Sequence, residues 1–338
     1  MKISVFGSGA WGTAIALLLY DNGHEVALWS KFTDETKVLS KTRVNPLLNG
    51  VNIADDIHIT SDFREATTGA GAAIIAVPSF AVRKTAEALV GQLDKDCVVV
   101  CMSKGIEKDS SKLFTCILRE TLGATTPIAA VSGPTHAEEV ARRIPTACVS
   151  ASDNVEVAER VQNLLMNDDF RVYTSNDVIG VELGAALKNV IAISAGISEG
   201  LGLGDNTIAM LMTRGLAEMA DLCVKMGGRK ETLAGLAGLG DLIVTCMSRH
   251  SRNRRAGVFV GKGMSAEEAM IEVGAVVEGY YAAKAAKGLA EKMGVDMPIC
   301  AEAYNVLFEG KAPYDAMRDL MSRAKKSESA FFEEKWVR

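Results

Sequence analysis

The segment Gly7-Ser8-Gly9-Ala10-Trp11-Gly12 constrains the fold of this chain more than any other feature. It joins an apolar run to a segment of helical periodicity, and its glycines have the spacing G-x-G-x-x-G. In this setting the first glycine permits a tight turn, the second lets a pyrophosphate approach the backbone, and the third lets the helix lie close to the strand. The helix N-terminus attracts an anion. We therefore predict a dinucleotide-binding unit; the alternative is the same turn without a ligand.

Apolar runs alternate with helical segments, such as 11–22 and 80–93, through the first half of the chain. We predict that these runs are buried parallel strands: 3–6, 26–29, 73–77, 98–102, 128–131 and 147–149. Afterwards only helical segments follow: 181–198, 207–226, 265–272, 279–293 and 300–309. This order predicts an α/β Rossmann-type doubly wound sheet over residues 1–180 and an all-helical C-terminal domain over 181–338. The charged tail, 325–338, is predicted to be peripheral.

Composition and charge exclude several classes of protein. The 338 residues, 48% apolar and 23% charged, are typical of a globular chain of about two domains. A net charge of −5 argues against a nucleic-acid partner. We find no apolar run that would span a bilayer and no signal-peptide cleavage pattern, so we expect a cytoplasmic protein without a membrane span.

The cysteines and histidines do not form a metal-binding pattern. None of the seven cysteines has C-x-x-C spacing, and four of them lie in apolar runs, which is typical of reduced, buried thiols. The four histidines are far apart in the sequence: His24, His58, His136 and His250. We therefore expect neither a disulfide framework nor a metal site.

The end of the second predicted strand bears on the choice of cofactor. A Rossmann domain that binds NAD carries Asp or Glu there for the ribose hydroxyls. This chain reads ALWSKFTD, with Lys31 near that position. A cation suits the 2′-phosphate of NADP, and the alternative is a solvated lysine in a loop. We expect NADP, or the use of both NADP and NAD.

Lys188 lies on a helical segment of small residues, GVELGAALKNVIAISAGI. Its neighbours three and four positions away include Gly184, Ala185 and Ala192, and none of them is a carboxylate, so no local ion pair explains the lysine. The small neighbours would let another backbone or a ligand come close. A desolvated lysine can serve as acid or base near neutral pH. The alternative, which the residues alone favour, is a lysine that extends from a core helix to water.

A basic cluster occupies the segment LAGLGDLIVTCMSRHSRNRRAG. Four arginines crowd it, and arginine binds phosphate through its planar fork: Arg249, Arg252, Arg254 and Arg255. A bound small phosphate is one interpretation and a solvated surface loop is another. A nucleic-acid patch would contain interleaved aromatic residues, which this segment lacks. Asp241 follows a glycine-rich turn, where its carboxylate could be held near a substrate hydroxyl.

Three further segments follow predicted strands, where ligands bind in open α/β sheets. They are AVPSFAVR, SKGIE and SGPTHAEEVA. Lys104 follows a strand and precedes a glycine, a suitable place for a cation that faces an anion. Gly133, Thr135 and Ala137 bracket the start of a helix. His136 is a candidate proton donor, although a lone histidine after a proline turn is more often structural.

These motifs resemble the bacterial-type NAD(P)-dependent glycerol-3-phosphate dehydrogenases. Nine segments occur in the order and spacing of that family, over about residues 1–325: GSGAWGTA, AVPSFAVR, SKGIE, SGPTHAEEVA, ELGAALKNVIAISAGI, GDNTIAMLMTRGLAEM, LAGLGDLIVTC, SRNRRAG and VVEGYYAAK. The resemblance implies reduction of dihydroxyacetone phosphate to sn-glycerol 3-phosphate by NADPH or NADH, for phospholipid synthesis. It also implies a helical domain like that of 6-phosphogluconate dehydrogenase, and a homodimer.

The resemblance also assigns residues. It implies that Lys188 carries the proton, with Lys104 and Asp241 as further catalytic groups. The implied substrate contacts are Lys104, Gly133, Thr135, Lys188, Asp241, Thr245, Ser251, Arg252 and Asn253. The implied cofactor contacts are Gly7, Ser8, Gly9, Ala10, Trp11, Gly12, Lys31, Pro78, Lys104, Ala137, Arg252, Val276 and Glu278.

Two departures from the family pattern concern only fine cofactor contacts. The loop TRVNPLLNG is looser than the common N-P-x-Y-L-P-G form, and Phe80 stands where many members carry histidine. One enzymatic rival is a β-hydroxyacid or 6-phosphogluconate type dehydrogenase, but those have K-x-x-x-N, whereas here Asn189 follows Lys188 directly. Another rival is a redox sensor that binds NAD(H) without turnover, which would need neither Lys188 nor the arginines.

Overall fold

The computed structural model of the protein describes residues 1–108 and 110–325. These residues form two compact units, each of which is described by itself below. Unit 1 comprises Met1–Lys104 and Lys112–Val178, and unit 2 comprises Gly105–Ser111 and the chain from Ile179 onward. The domain limits inferred from the sequence, 1–180 and 181–338, stay a prediction.

Unit 1 is built on one eight-stranded sheet with the spatial order β3-β2-β1-β4-β5-β6-β7-β8. All neighbouring strands are parallel except β6 and β7. The sheet and its helices confirm the predicted Rossmann-type fold. In chain order the strands are β1 (Lys2–Phe6), β2 (Glu25–Trp29), β3 (His58–Thr60), β4 (Ala72–Ile75), β5 (Val98–Cys101), β6 (Ile128–Ser132), β7 (Thr146–Ala151) and β8 (Phe170–Ser175).

Helices accompany the strands of unit 1, and the two faces of the sheet belong to two hydrophobic clusters. Successive residues of a strand point to opposite faces. In β5, Val98 and Val100 join one cluster, whereas Val99 and Cys101 join the other. A strand buried on both faces reads as a continuous apolar run. The helices are α1 (Ala10–Asp21), α2 (Thr33–Thr42), α3 (Phe63–Thr67), α4 (Val82–Leu89), α5 (Phe114–Leu122), α6 (Ala137–Val140) and α7 (Val155–Leu165).

Three strands differ from the sequence-based expectation. The run 147–149 was expected to be parallel, but β7 is antiparallel to β6, because the connection between them holds only the four-residue helix α6 and turns straight back. The strands β3 and β8 were missed. β3 has three residues, and β8 has alternating buried and exposed residues instead of a continuous apolar run.

From Val178 onward the described residues are helical and contain no strand. The segments 241–247 and 252–261 were not predicted to be helices. A five-residue π-helical turn, Leu236–Gly240, precedes the first of them. Of the predicted tail, residues 326–338 lie outside the described residues. The helices are α8 (Val178–Gly200), α9 (Asp205–Lys225), α10 (Lys230–Leu233), α11 (Asp241–Met247), α12 (Arg252–Gly261), α13 (Ala266–Val273), α14 (Glu278–Met293), α15 (Pro298–Phe308) and α16 (Pro313–Met321).

Helix α8 is long and apolar enough to cross a membrane by length and composition. The sequence-based expectation that no apolar run is long enough to span a bilayer is therefore wrong for this helix by length and composition alone. Within its most apolar window, 89% of the residues are buried inside the protein. This burial is typical of a core helix, which passes the same test as a membrane span.

Candidate active site

The glycine loop between β1 and α1 has two glycines that packing requires and one that packing does not. A Cβ on Gly7, whose φ is +116°, would lie 2.7 Å from the Ala76 carbonyl oxygen, and a Cβ on Gly12 would overlap the Gly7 carbonyl. A Cβ on Gly9 would meet nothing within 4 Å. The first and third glycines therefore close the turn, whereas the space beside the middle one is open to a ligand.

The donors around this loop fit a dinucleotide. Helix α1 begins after Gly9 with neither a side-chain cap nor an acidic residue in its first turn. In the described part of the chain, no acceptor binds the backbone N–H groups of Gly9, Ala10, Trp11 and Gly12. The indole Nε1 of Trp11 is also buried without a partner there. Unpartnered N–H groups at a helix N-terminus attract anions, and a buried indole N–H needs an acceptor, so these groups suit the phosphate and hydroxyl oxygens of a dinucleotide.

Two other predicted cofactor residues lie just beyond strands β2 and β4. Lys31 is exposed in the loop between β2 and α2. Pro78 is exposed after β4 and precedes the 3₁₀ turn Ser79–Ala81. Phe80, within that turn, is 64% exposed. All three are accessible to a ligand at the same edge of the sheet as the glycine loop, and Lys31 fits either a bound phosphate or solvent.

Three of the predicted substrate residues in unit 1 are joined through Lys104. Its Nζ donates to the Gly133 carbonyl oxygen at 3.0 Å and to the Thr135 Oγ1 at 3.3 Å. Lys104 also favours the thiolate of Cys148, but burial outweighs this effect and raises the pKa of that thiol to about 12. Ala137 is buried at the start of α6, after His136, which precedes the helix as its N-cap residue. The structure therefore brings Lys104, Gly133 and Thr135 into one cluster.

Lys188 lies in the interior of unit 2, where it is 5% exposed. Its Nζ contacts the Asp241 Oδ1 at 2.5 Å and the Thr245 Oγ1 at 2.8 Å. Asp241 is 1% exposed, and Thr245 donates to the Asp241 carbonyl oxygen at 2.6 Å. The expectation that the lysine extends to water is wrong, because the carboxylate that compensates its charge comes from a different helix, α11.

Small residues explain how α11 comes so close to α8. A Cβ on Gly184, one turn before Lys188, would overlap the Ala237 backbone of the π-helical turn. That turn leads directly into Asp241, the first residue of α11. A π-helical turn inside helical structure is frequent at functional sites. The small neighbours of Lys188 therefore make room for another backbone, and this backbone carries the carboxylate.

Helix α12 presents the predicted phosphate-binding residues at its N-terminus. Ser251 is the N-cap, and its side chain accepts from the Arg254 N–H at 3.2 Å. Arg252 is exposed in the first turn, whereas Arg254 donates to a Glu199 Oε1 at 2.7 Å. Asn253 is buried. The basic segment is therefore a helix start and not a solvated loop, and its arginines differ in role.

The Asn253 side chain ties three helices of unit 2 together. Its Nδ2 donates to the Asn189 Oδ1 at 2.9 Å, and its Oδ1 accepts from the Gly279 N–H at 2.8 Å. The same region holds Val276 and Glu278, both half-buried, at the N-terminus of α14. These contacts fix the start of α14 against α8 and α12, next to the residue that follows Lys188.

Sequence reasoning missed Asn45 and Asn189. Asn45 is buried and donates to the glycine loop, and its position before a proline indicates a turn. Asn189 is a buried amide on an apolar helix, a pattern that calls for a hydrogen-bond partner. Within residues 1–108 and 110–325, no three His, Cys, Asp or Glu side chains form a group that could hold a metal ion.

Two family models match the chain. The N-terminal model of NAD-dependent glycerol-3-phosphate dehydrogenase matches residues 2–158, and its C-terminal model matches residues 177–318. The chain belongs to this family. The resemblance inferred from the nine motifs is therefore confirmed, and with it membership of a family of oxidoreductases that use NAD(P).

Individual proteins in this family are similar to the chain over nearly its whole length. A glycerol-3-phosphate dehydrogenase [NAD(P)+] from Thermoanaerobacter is 51% identical and covers 97% of this chain and 99% of its own. One from Fusobacterium nucleatum is 48% identical, with coverages of 97% and 98%. The crystal structure of glycerol-3-phosphate dehydrogenase from Coxiella burnetii aligns with a TM-score of 0.92 at 37% identity, over 95% of this chain and 99% of that one.

Proposed function

We propose that this chain reduces dihydroxyacetone phosphate to sn-glycerol 3-phosphate with NADPH or NADH, and catalyses the reverse reaction. The observation that carries the proposal is the buried contact of Lys188 with Asp241 and Thr245. An ionisable amine held in a dry interior by a carboxylate suits proton transfer. The names of the relatives support the choice of substrate.

The glycine loop and the N-terminus of α1 would hold the pyrophosphate of the dinucleotide. The open space beside Gly9 and the buried Trp11 indole N–H support this assignment. When bound, the reduced nicotinamide supplies the hydride that C2 of the substrate needs. The chain itself has to bind, orient and protonate the substrate.

Lys188 Nζ would hold the proton that the C2 oxygen of dihydroxyacetone phosphate takes. Asp241 keeps the ammonium group in place through the 2.5 Å contact, and Thr245 fixes its direction. After the transfer, solvent returns a proton to the amine. A positioned general acid of this kind accelerates a reaction by ~10²–10⁴-fold.

The phosphate of the substrate would bind at the start of α12. The exposed Arg252 provides a planar fork for phosphate oxygens, and the helix N-terminus behind Ser251 adds its dipole. We assign Asn253 to the same subsite, and Lys104 with Thr135 to substrate oxygens. Binding energy from a phosphate remote from C2 then helps to hold the ketone in its reactive position.

We also propose that Lys31 favours NADPH over NADH through the 2′-phosphate. Its exposure at the end of β2 supports this assignment. Lys31→Ala should weaken binding of NADPH and leave binding of NADH unchanged. Titration of both cofactors on wild type and variant tests the assignment, and equal losses for the two cofactors would refute it.

The cellular location, the oligomeric state and the metabolic role of the chain are also proposals. We infer a cytoplasmic homodimer whose product enters glycerophospholipid synthesis, and the resemblance to the bacterial dehydrogenases supports each part. The net charge of −5 disfavours a nucleic-acid partner. Light scattering on the purified protein tests the dimer, and a monomer at micromolar concentration would contradict it.

The central experiment mixes the protein, NADPH and dihydroxyacetone phosphate and follows the absorbance of the reduced nicotinamide. We expect turnover by wild type and a loss of orders of magnitude in Lys188→Ala, with NADPH binding retained. Lys284→Ala, at an exposed position of α14, is the control and should be fully active. Binding of NADPH without turnover by the wild-type protein would favour a redox sensor instead. Normal turnover by Lys188→Ala would refute the assignment of Lys188 as the proton donor.

A further inference from the structure

We propose that Asn45 is a positioning residue that orients the backbone N–H of Gly9 toward the cofactor pyrophosphate. The inference rests on the proposed dinucleotide site and deepens it. Asn45 does not touch the space beside Gly9. It acts through the carbonyl group of Ser8, the residue before Gly9 in the loop.

Asn45 is 2% exposed, and the hydrogen-bonding atoms of its side chain are all engaged. Its Nδ2 donates to the Ser8 carbonyl oxygen at 2.9 Å and to the Thr13 Oγ1 at 2.7 Å. Its Oδ1 accepts from the Leu47 N–H at 2.9 Å, which closes a turn at the Asn-Pro dipeptide. A buried amide that is fully satisfied holds its neighbours in one arrangement.

Through the peptide group between Ser8 and Gly9, the hydrogen bond from Asn45 to the Ser8 carbonyl oxygen sets the direction of the Gly9 N–H. The described chain has no cis peptide bond, so the carbonyl oxygen of Ser8 and the N–H of Gly9 point to opposite sides of one plane. Asn45 and Thr13 both donate to the oxygen, at 2.9 and 3.2 Å. The Gly9 N–H therefore points away from Asn45, and no described residue accepts from it.

The loop that carries Asn45 is anchored independently of these bonds. Leu48 and Ile53 belong to the hydrophobic cluster that also contains residues of α1. Arg43 donates to the Ile57 carbonyl oxygen at 2.7 Å. Because the loop has its own anchors, a substitution at Asn45 can change the glycine loop without unfolding unit 1.

The test compares Asn45→Asp, Asn45→Ala and Thr13→Val. The aspartate keeps the acceptor for Leu47 but cannot donate to Ser8, and the alanine removes the side-chain contacts without adding charge. Thr13→Val is the matched control, because it removes the second donor to Ser8 and one acceptor of Asn45 but keeps the Asn45 side chain that donates to Ser8. Calorimetric titration with ADP-ribose reports binding of the pyrophosphate without the nicotinamide. The KM for NADPH and kcat are measured alongside.

We expect both Asn45 variants to bind ADP-ribose and NADPH at least about tenfold more weakly. This is the loss expected when the hydrogen bond from the Gly9 N–H to the charged pyrophosphate is weakened. Thr13→Val should lose less than about threefold. The KM for NADPH should rise in the Asn45 variants, while kcat at saturating NADPH and the KM for dihydroxyacetone phosphate stay close to wild type. If Asn45→Asp does not fold because its carboxylate is buried without a partner, Asn45→Ala decides.

Wild-type affinity for ADP-ribose in a folded Asn45 variant would overturn the inference. A lower melting temperature with unchanged affinity would do the same, because it would show a purely structural role. Failure of wild type itself to bind ADP-ribose would instead refute the proposed dinucleotide site. The two failures are therefore distinguishable.

Discussion

The contact between Lys188 and Asp241 predicts a specific pattern of stability in a double-mutant cycle. Two unit charges 2.5 Å apart attract each other by about 7 kcal/mol at an effective dielectric constant of ~20. Both side chains are almost completely buried, so much of this attraction offsets the cost of removing the charges from water. Removing one partner leaves the other charge buried and uncompensated, which costs about 3–5 kcal/mol.

We therefore expect Lys188→Met and Asp241→Asn to lower the free energy of unfolding by about 3–5 kcal/mol each. The double variant should lose much less than the sum. Equilibrium urea unfolding followed by far-ultraviolet circular dichroism measures all four proteins. Activity should not recover with stability, because both variants that lack Lys188 lack the proposed proton donor.

An exposed ion pair in unit 1 is the control for the cycle. Lys112 and Glu120 are 2.6 Å apart, but their side chains are 44% and 47% exposed. Their cycle, with Lys112→Met and Glu120→Gln, should give a coupling of only about 0.2–1 kcal/mol. Additive losses at Lys188 and Asp241, or equal couplings in the two cycles, would refute the reasoning that burial sets the energy of the pair.

Three further predictions concern binding, packing and pH. Arg252→Ala should raise the KM for dihydroxyacetone phosphate sharply, whereas Arg255→Ala, exposed on the same helix, should not; steady-state kinetics distinguish them. Gly257→Ala should destabilise the fold because its Cβ would overlap the α8 backbone. Gly288→Ala, whose Cβ meets nothing within 4 Å, should instead stabilise the fold by ~0.5–1 kcal/mol. Thermal or urea unfolding measures both changes. Burial raises the pKa of Glu218 from 4.5 to about 7, so between these pH values the folded chain keeps a proton that the unfolded chain releases. The free energy of unfolding should therefore fall by up to ~3 kcal/mol as the pH rises from 4.5 to about 7. Glu218→Gln should flatten this dependence in urea titrations at several pH values.

The sheet was predictable where burial on both faces produces continuous apolar runs. β5 is such a strand, and its residues alternate between two hydrophobic clusters. The edge strand β8 was missed because Arg171 and Tyr173 face outward and break the run. The glycine loop was predictable because its spacing is local, and the open side of Gly9 is the side that the pattern assigns to a ligand.

The environment of Lys188 was not predictable from its own segment, because its partner Asp241 is 53 residues further along the chain. Neighbours on one helix turn contain no carboxylate, so local reasoning favoured a lysine that reaches water. The same limit applies to the arginine cluster. Arg254 pairs with Glu199, 55 residues earlier, and a list of nearby charges could not separate it from the exposed Arg252.

A sequence signal for these long-range contacts exists in the glycines of unit 2. Gly196 and Gly200 on α8 have the same spacing as Gly257 and Gly261 on α12, and a Cβ on any of the four would overlap the other helix. The two backbones therefore touch. This contact fixes the position of α12 against α8, and with it the position of Asn253. The Asn253 side chain donates a hydrogen bond to Asn189, the residue after Lys188. The proposed proton donor and the candidate phosphate subsite are thus held by small residues that carry no chemistry of their own. Substitutions at these glycines should lower activity by moving α12 away from α8.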